Sequence, residues 1–112
     1  MAKHPQLKRL FNRKYDGIVE AVHLTSAGKI EWVRAYERRG PTWSDHVLLD
    51  RKTLIKRLKS GKRFFTGKRI ENMASEFVVS EAIKLVKSSK GEVIVTNGIE
   101  ANKDYLANTP LI

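Results

Sequence analysis

Apolar and polar positions alternate with a period of two along most of this chain, and the period turns helical in one clear place. Tyr15 to Thr25 reads YDGIVEAVHLT and is rich in β-branched residues. Ser26-Ala27-Gly28 has turn composition, and Lys29 to Arg38 reads KIEWVRAYER. The pair predicts a β-hairpin. In its second strand Ile30, Trp32, Arg34 and Tyr36 share one face, and Val33 and Ala35 share the other with Lys29, Glu31 and Glu37. That alternation suits a sheet with one covered face.

Arg39-Gly40-Pro41-Thr42 punctuates the chain as a loop that carries Trp43 just beyond it. His46 to Leu49 (HVLL) predicts a third strand. Asp50 then stands where a helix N-cap is needed, with a carboxylate that accepts from first-turn amides. Leu54, Ile55 and Leu58 form one apolar helical face, Lys56, Arg57 and Lys59 crowd the C-terminal half, and Gly61 is placed to end the helix in a left-handed conformation. Lys62 to Thr66 (KRFFT) predicts a fourth strand, in which Phe64 and Phe65 point to opposite faces, one to the core. Gly67-Lys68-Arg69 reads as a basic turn. Glu76 to Lys87 (EFVVSEAIKLVK) fits a strand, or over residues 80–87 a helix capped by Ser80. Strand is preferred, because Ser88 to Gly91 is turn-like and Glu92 to Thr96 (EVIVT) is strongly β. Asn97-Gly98 ends that run.

The expected fold is therefore mainly β (α+β): a small antiparallel β-barrel or rolled sheet of about six strands, with one helix between the third and fourth, OB-like or SH3-like. The order strand-strand-strand-helix-strand-strand is shared with the OB-fold as a topological analogy, with the last strand extra. Three segments are expected: a basic arm or short helix over 1–14, a β domain over 15–97 and a loose tail over 98–112. In that tail Tyr105, Leu106, Leu111 and Ile112 are the residues able to dock.

Charge changes this picture most. Lys and Arg number 22 against 12 Asp and Glu, for a net charge of +10. Residues 1–70 carry eighteen bases and six acids, whereas residues 71–112 carry four and six. Residues 51–69 alone hold nine Lys or Arg and no acid. Such a basic block points to nucleic acid, an anionic membrane or an acidic protein as partner. No apolar run approaches the roughly 18–20 residues of a membrane span. The N-terminal stripe of Leu7, Leu10 and Phe11 is compatible with an arm, a membrane-surface helix or a presequence, and it lacks the apolar core of a secretory signal. The chain has no cysteine. That excludes disulfides and thiolate chemistry and makes a cytoplasmic setting the expectation.

Motifs for catalysis are weak. Gly61 to Lys68 (GKRFFTGK) has five residues between its glycines and Arg69 after the lysine, where a P-loop needs four and Ser or Thr. Ser44, Asp45 and His46 are consecutive, which prevents the spatial order of a nucleophilic triad. His4, His23 and His46 show no metal-ligand spacing. No cofactor, metal or enzymatic activity is expected.

Basic residues interleaved with aromatics remain, in two groups: Arg34, Tyr36, Arg38, Arg39 and Trp43, and then Lys62, Arg63, Phe64, Phe65, Lys68 and Arg69. Cations displace counterions from phosphates, and flat rings stack on bases. The expectation is a non-catalytic nucleic-acid-binding module for RNA or single strands. Arg34, Arg38, Arg39, Lys62, Arg63, Lys68 and Arg69 would hold phosphates, Trp43 and Phe64 or Phe65 would stack, and Lys52, Lys56 and Arg57 would extend the patch. The alternatives are a module that docks an acidic protein, a membrane-surface protein, and a barrel that holds an anionic metabolite. The oligomeric state is not legible.

Overall fold

A computed structural model describes residues 15–71, 76–88, 91–96 and 103–112. The arm expected over 1–14, with its Leu7, Leu10 and Phe11 stripe, and Asn97-Gly98 lie outside these residues. The chain forms β1 (Gly17–Leu24), β2 (Ile30–Arg39), β3 (Thr42–Trp43), β4 (Val47–Asp50), α1 (Arg51–Lys59), β5 (Phe64–Arg69), β6 (Phe77–Ser88) and β7 (Gly91–Thr96). It is a mainly β protein: a curled half-barrel sheet with one helix.

The first hairpin closes where expected. The Thr25 amide donates to Lys29 O at 2.7 Å, and Gly28 takes φ 84°, a conformation open to glycine. The predicted loop at Arg39 is a tighter structure. Gly40 and Pro41 turn the chain, so that Trp43 pairs with Arg38 and Thr42 with Arg39 in the two-residue strand β3. Trp43 therefore sits on the sheet, not in a loop. Residues 80–87 are strand, the second half of the twelve-residue β6.

The helix is built as its ends predict. The Thr53 amide donates to Asp50 Oδ1 at 2.8 Å. At the other end Gly61 takes φ 93°, its amide donates to Leu58 O, and the Lys62 amide donates to Arg57 O, both at 3.1 Å. This is a Schellman closure, which satisfies carbonyls that the last turn leaves unpaired.

The order of strands across the sheet is β3-β2-β1-β5-β6-β7, with β4 pairing β2 on the same edge as β3. One pairing departs from an all-antiparallel sheet: β1 and β5 are parallel, Gly17 to Val19 beside Phe64 to Thr66. The physical reason is the helix. A turn reverses the chain between neighbouring strands, but α1 carries it back before β5 begins, so β5 runs with β4 and β1. Register shifts in β1 and β5 mark bulges, which bend strands. β6 spends its first half on β5 and its second half on β7, and so turns the corner of the curl.

The core lies on the helix side. Val19, Val22, Val33, Ala35, Leu49, Phe64, Ile83 and Ile94 pack around Leu54 of α1, which is wholly buried. A buried leucine of this kind contributes about 2–3 kcal/mol. In β2 Ile30, Val33 and Ala35 belong to this core, Ile30 joining it beside the register shift at His23/Leu24 and not sharing the face of Arg34 and Tyr36, and Glu37 meets Arg57 of the helix at 2.8 Å. Tyr36 is buried too, but on the opposite face.

The last residues are tied down more firmly than their weak periodicity suggests. The Tyr105 amide donates to Ile94 O and the Thr96 amide to Tyr105 O, at 2.9 and 3.0 Å. Val22 exchanges bonds with Pro110 O and the Ile112 amide, both at 2.9 Å. Leu106 packs on the core, whereas Tyr105, Leu111 and Ile112 are held by backbone and leave much of their side chains exposed. Asp104, 7% exposed, accepts from the Ile30 and Ile94 amides at 2.7 and 2.9 Å and pairs with Arg51.

Candidate nucleic-acid interface

Alternation along β2 decides where its basic residues go. Arg34, Tyr36 and Arg38 fall on the face away from the helix, and Glu37 and Arg39 on the helix side. Trp43 pairs with Arg38 and joins the helix-free face. β5 contributes Phe65 and Arg69 to the same face, and Arg69 pairs with Phe77 of β6. Tyr15, just before β1, completes it.

These side chains touch in a continuous row. The Phe65 and Tyr15 rings meet edge to face at 6.0 Å, and Tyr15 and Trp43 lie 5.7 Å apart. Trp43 reaches Phe77 at 4.8 Å, Phe77 reaches Tyr36 at 5.2 Å, and Tyr36 stacks on His46 at 5.9 Å. Two guanidinium groups are laid into the row. Arg38 lies 4.7 Å from the Trp43 ring centroid, and its Nε donates to Tyr15 O at 3.2 Å. Arg69 lies 4.2 Å from Tyr36 and 5.5 Å from Phe77, and its Nη2 donates to Ser44 O at 3.0 Å. Apart from buried Tyr36 and exposed His46, the rings of this row are half-buried.

A polar cluster borders the row. Arg34 Nε contacts Glu20 Oε2 at 2.8 Å, and His46 Nδ1 stands 3.9 Å from the same oxygen. Burial, followed by a hydrogen bond to Glu20 and that residue's charge, raises the Tyr36 hydroxyl above its ordinary value, while Arg69 and Arg34 pull it the other way. Tyr36 is therefore a neutral hydrogen-bonding group at neutral pH, with its ring as the floor under Arg69.

The two sequence groups are thus reshuffled by face. Arg34, Arg38, Trp43 and Arg69 come together. Arg39 and Lys62 lie instead on the helix side, with Lys56 and Arg57, around a cleft of about 430 Å³. Arg63 is engaged by Asp16, whose Oδ2 accepts from the Arg63 amide at 2.8 Å and stands 3.4 Å from its Nε. Lys68 lines a different hollow, with Thr66, Val78 and Pro110. Lys52 is exposed on α1.

Phe64 needs correction. It is 1% exposed and packs against Gly17, where an added Cβ would meet its ring. A base has no access to it, and the second ring of the pair, Phe65, is the one on the accessible face. Reasoning from sequence also missed Tyr15 and Phe77. Both stand at strand entrances, and only the pairing of Arg69 with Phe77 and the packing of Tyr15 on Trp43 reveal them.

Among the described residues no group of three or more acids and histidines is gathered to hold a metal ion. Among the same residues no helix is long and apolar enough to cross a membrane. Comparison with known proteins finds no match to a family model, to a curated protein or to a solved structure.

Proposed function

We propose that this chain is a non-catalytic module that binds single-stranded nucleic acid, RNA foremost, on the helix-free face of its sheet. One observation carries the reading: the row Phe65, Tyr15, Trp43, Phe77 and Tyr36 with Arg38 and Arg69 laid over its rings. Unpaired bases stack on aromatic rings and on guanidinium planes, and a face offering both in alternation suits a strand whose bases are splayed. The net charge of +10 supplies the attraction to phosphate. Duplex is disfavoured because its bases already stack on one another and present only their edges. The likeness in element order to the OB-fold agrees with this use but does not carry it.

In this reading Trp43 and Phe77 are the stacking centre, with Phe65 and Tyr15 extending it. Arg38 and Arg69 lie between stacking and phosphate contact, and Arg34 stands at the border. The test is a fluorescence titration of Trp32→Phe protein, in which Trp43 is the sole reporter, with single-stranded RNA and DNA across salt. The expected result is quenching, with affinity that falls steeply as salt rises. Arg38→Ala should weaken every sequence alike and flatten the salt slope by about 0.7 per lost phosphate contact on a single strand. Absence of quenching and of binding at low salt overturns the proposal.

A further inference from the structure

The basic residues that the stacking face leaves out are not scattered. Arg39, Lys56, Arg57 and Lys62 line one cleft of about 430 Å³ on the helix side, at the end of α1. The cleft also holds Asp16 and Glu37, and both are engaged: Glu37 Oε2 with Arg57 Nε at 2.8 Å, and Asp16 Oδ2 with the Arg63 amide at 2.8 Å. The basic residues of the lining outnumber these two acids, so the cleft stays net positive. Among the described residues Arg39, Lys56 and Lys62 form no ion pair. Three cations around one hollow repel one another, and an anion between them relieves that cost.

The usual objection to an anion beside a helix C-terminus is the negative end of the dipole. Here the capping bonds weaken that end without removing it. The Ser60, Gly61 and Lys62 amides take up the carbonyls of Lys56, Arg57 and Leu58. What the cleft presents is side-chain charge.

The cleft is joined to the stacking face by a single step of backbone. Arg38 and Arg39 are consecutive at the end of β2 and both line the cleft, but the Arg38 guanidinium is laid on Trp43, 4.7 Å from its ring centroid, whereas Arg39 lies on the helix side. Between the two surfaces lies only the edge of the β2–β3 hairpin with its Gly40-Pro41 turn. We infer that the cleft is a phosphate-binding site, separate from the stacking face, that takes a backbone phosphate of the strand as it passes over this edge. The inference rests on the single-strand reading for the source of the phosphate, but not for the site itself.

Two probes separate the claims. The first is inorganic pyrophosphate, added to the whole chain while backbone amide resonances are followed. The signals of Arg39, Gly40, Ser60 and Lys62 should shift, and those of Trp43 and Phe77 should not. The second compares a tetranucleotide with a dodecanucleotide of single-stranded RNA on wild-type protein and on the Arg39→Ala/Lys62→Ala variant. Both substituted side chains are exposed, so the fold should survive. The short strand should bind both proteins alike. The long strand should lose about tenfold in affinity on the variant at low salt, with a salt slope smaller by about 1.4 for two lost contacts. Cleft amides that ignore pyrophosphate, or equal losses for short and long strands, overturn the inference. Pyrophosphate shifts without binding of either strand would uphold the cleft as an anion site and sink the single-strand reading.

Discussion

The guanidinium of Arg69 lies 4.2 Å above the ring of Tyr36, two strands away across the sheet. The contact answers part of the charge concentrated in residues 51–69, because the negative face of the ring replaces the missing acid. Arg69 Nε is buried and has no hydrogen-bond partner among the described residues, which offsets part of the gain. Arg69→Met keeps the apolar stem and removes the cation. We expect a loss of about 1 kcal/mol in urea unfolding, within the range of such contacts. We also expect Tyr36 to ionise at still higher pH, since the Arg69 charge favours its phenolate. Phenolate absorbance in alkali reads the second effect. Unchanged stability together with an unchanged titration would mean that the contact does not form in solution.

Asp104 is the anchor of the C-terminal segment. Its side chain is 1% exposed, accepts two backbone amides from different strands, and pairs with Arg51 of α1. Asp104→Ala strips all three partners at once. Breaking a buried pair costs about 3–5 kcal/mol, and because Arg51 keeps 23% exposure the lower end applies, about 3 kcal/mol. Asp104→Asn retains one acceptor oxygen and should fall between. Hydrogen exchange should quicken at Tyr105, Val22 and Ile112, whose amides belong to that docking. A loss under about 1 kcal/mol would show that the segment is held by its backbone ladder alone.

Local signals in this chain are legible in the sequence and non-local ones are not, for a physical reason. The N-cap at Asp50, the left-handed Gly61 and the turn at Gly28 depend on residues within a few positions. So do the period-two runs of the main strands. Which rings and cations meet depends on register between strands distant in sequence. Arg38 and Arg39 look equivalent in sequence and differ by one step of alternation. Arg69 reaches Phe77 only because β5 and β6 pair in one register, and the bulge in β5 between Phe65 and Gly67 is marked in the sequence by a glycine alone, which suits a turn as well: Gly67 to Arg69, expected as a basic turn, is the end of β5. Which of Phe64 and Phe65 is the inward ring is undecided in sequence for the same reason, and the structure buries Phe64. The parallel β1–β5 pair follows from the helix crossing, which the order of elements contains but does not place. The C-terminal segment has weak periodicity because Leu106 alone of its four candidate side chains packs on the core. Backbone bonds and one buried carboxylate supply the rest of the hold.

The last prediction concerns pH. The Thr53 amide donates to Asp50 Oδ1 at 2.8 Å and, with the Thr53 hydroxyl and the nearby Lys52 charge adding to it, holds the carboxyl below its ordinary value. A carboxylate whose folded-state value is depressed stabilises the fold fully above the unfolded-state value, near 4, and loses that contribution as pH falls through the folded-state value. Asp50→Asn keeps a capping oxygen that does not titrate, since asparagine caps about as well as aspartate. At neutral pH the wild type should be the more stable of the two, through the favourable placement of a negative charge at the helix N-terminus. The gap should shrink below pH of about 4 and vanish once the carboxyl is protonated. Taking the difference between the two proteins removes the acid denaturation that a chain of net charge +10 undergoes in either form. Urea unfolding at neutral pH and at about pH 3 measures it. A gap that stays constant across that interval would mean that the Asp50 carboxylate does not act as the titrating cap of α1.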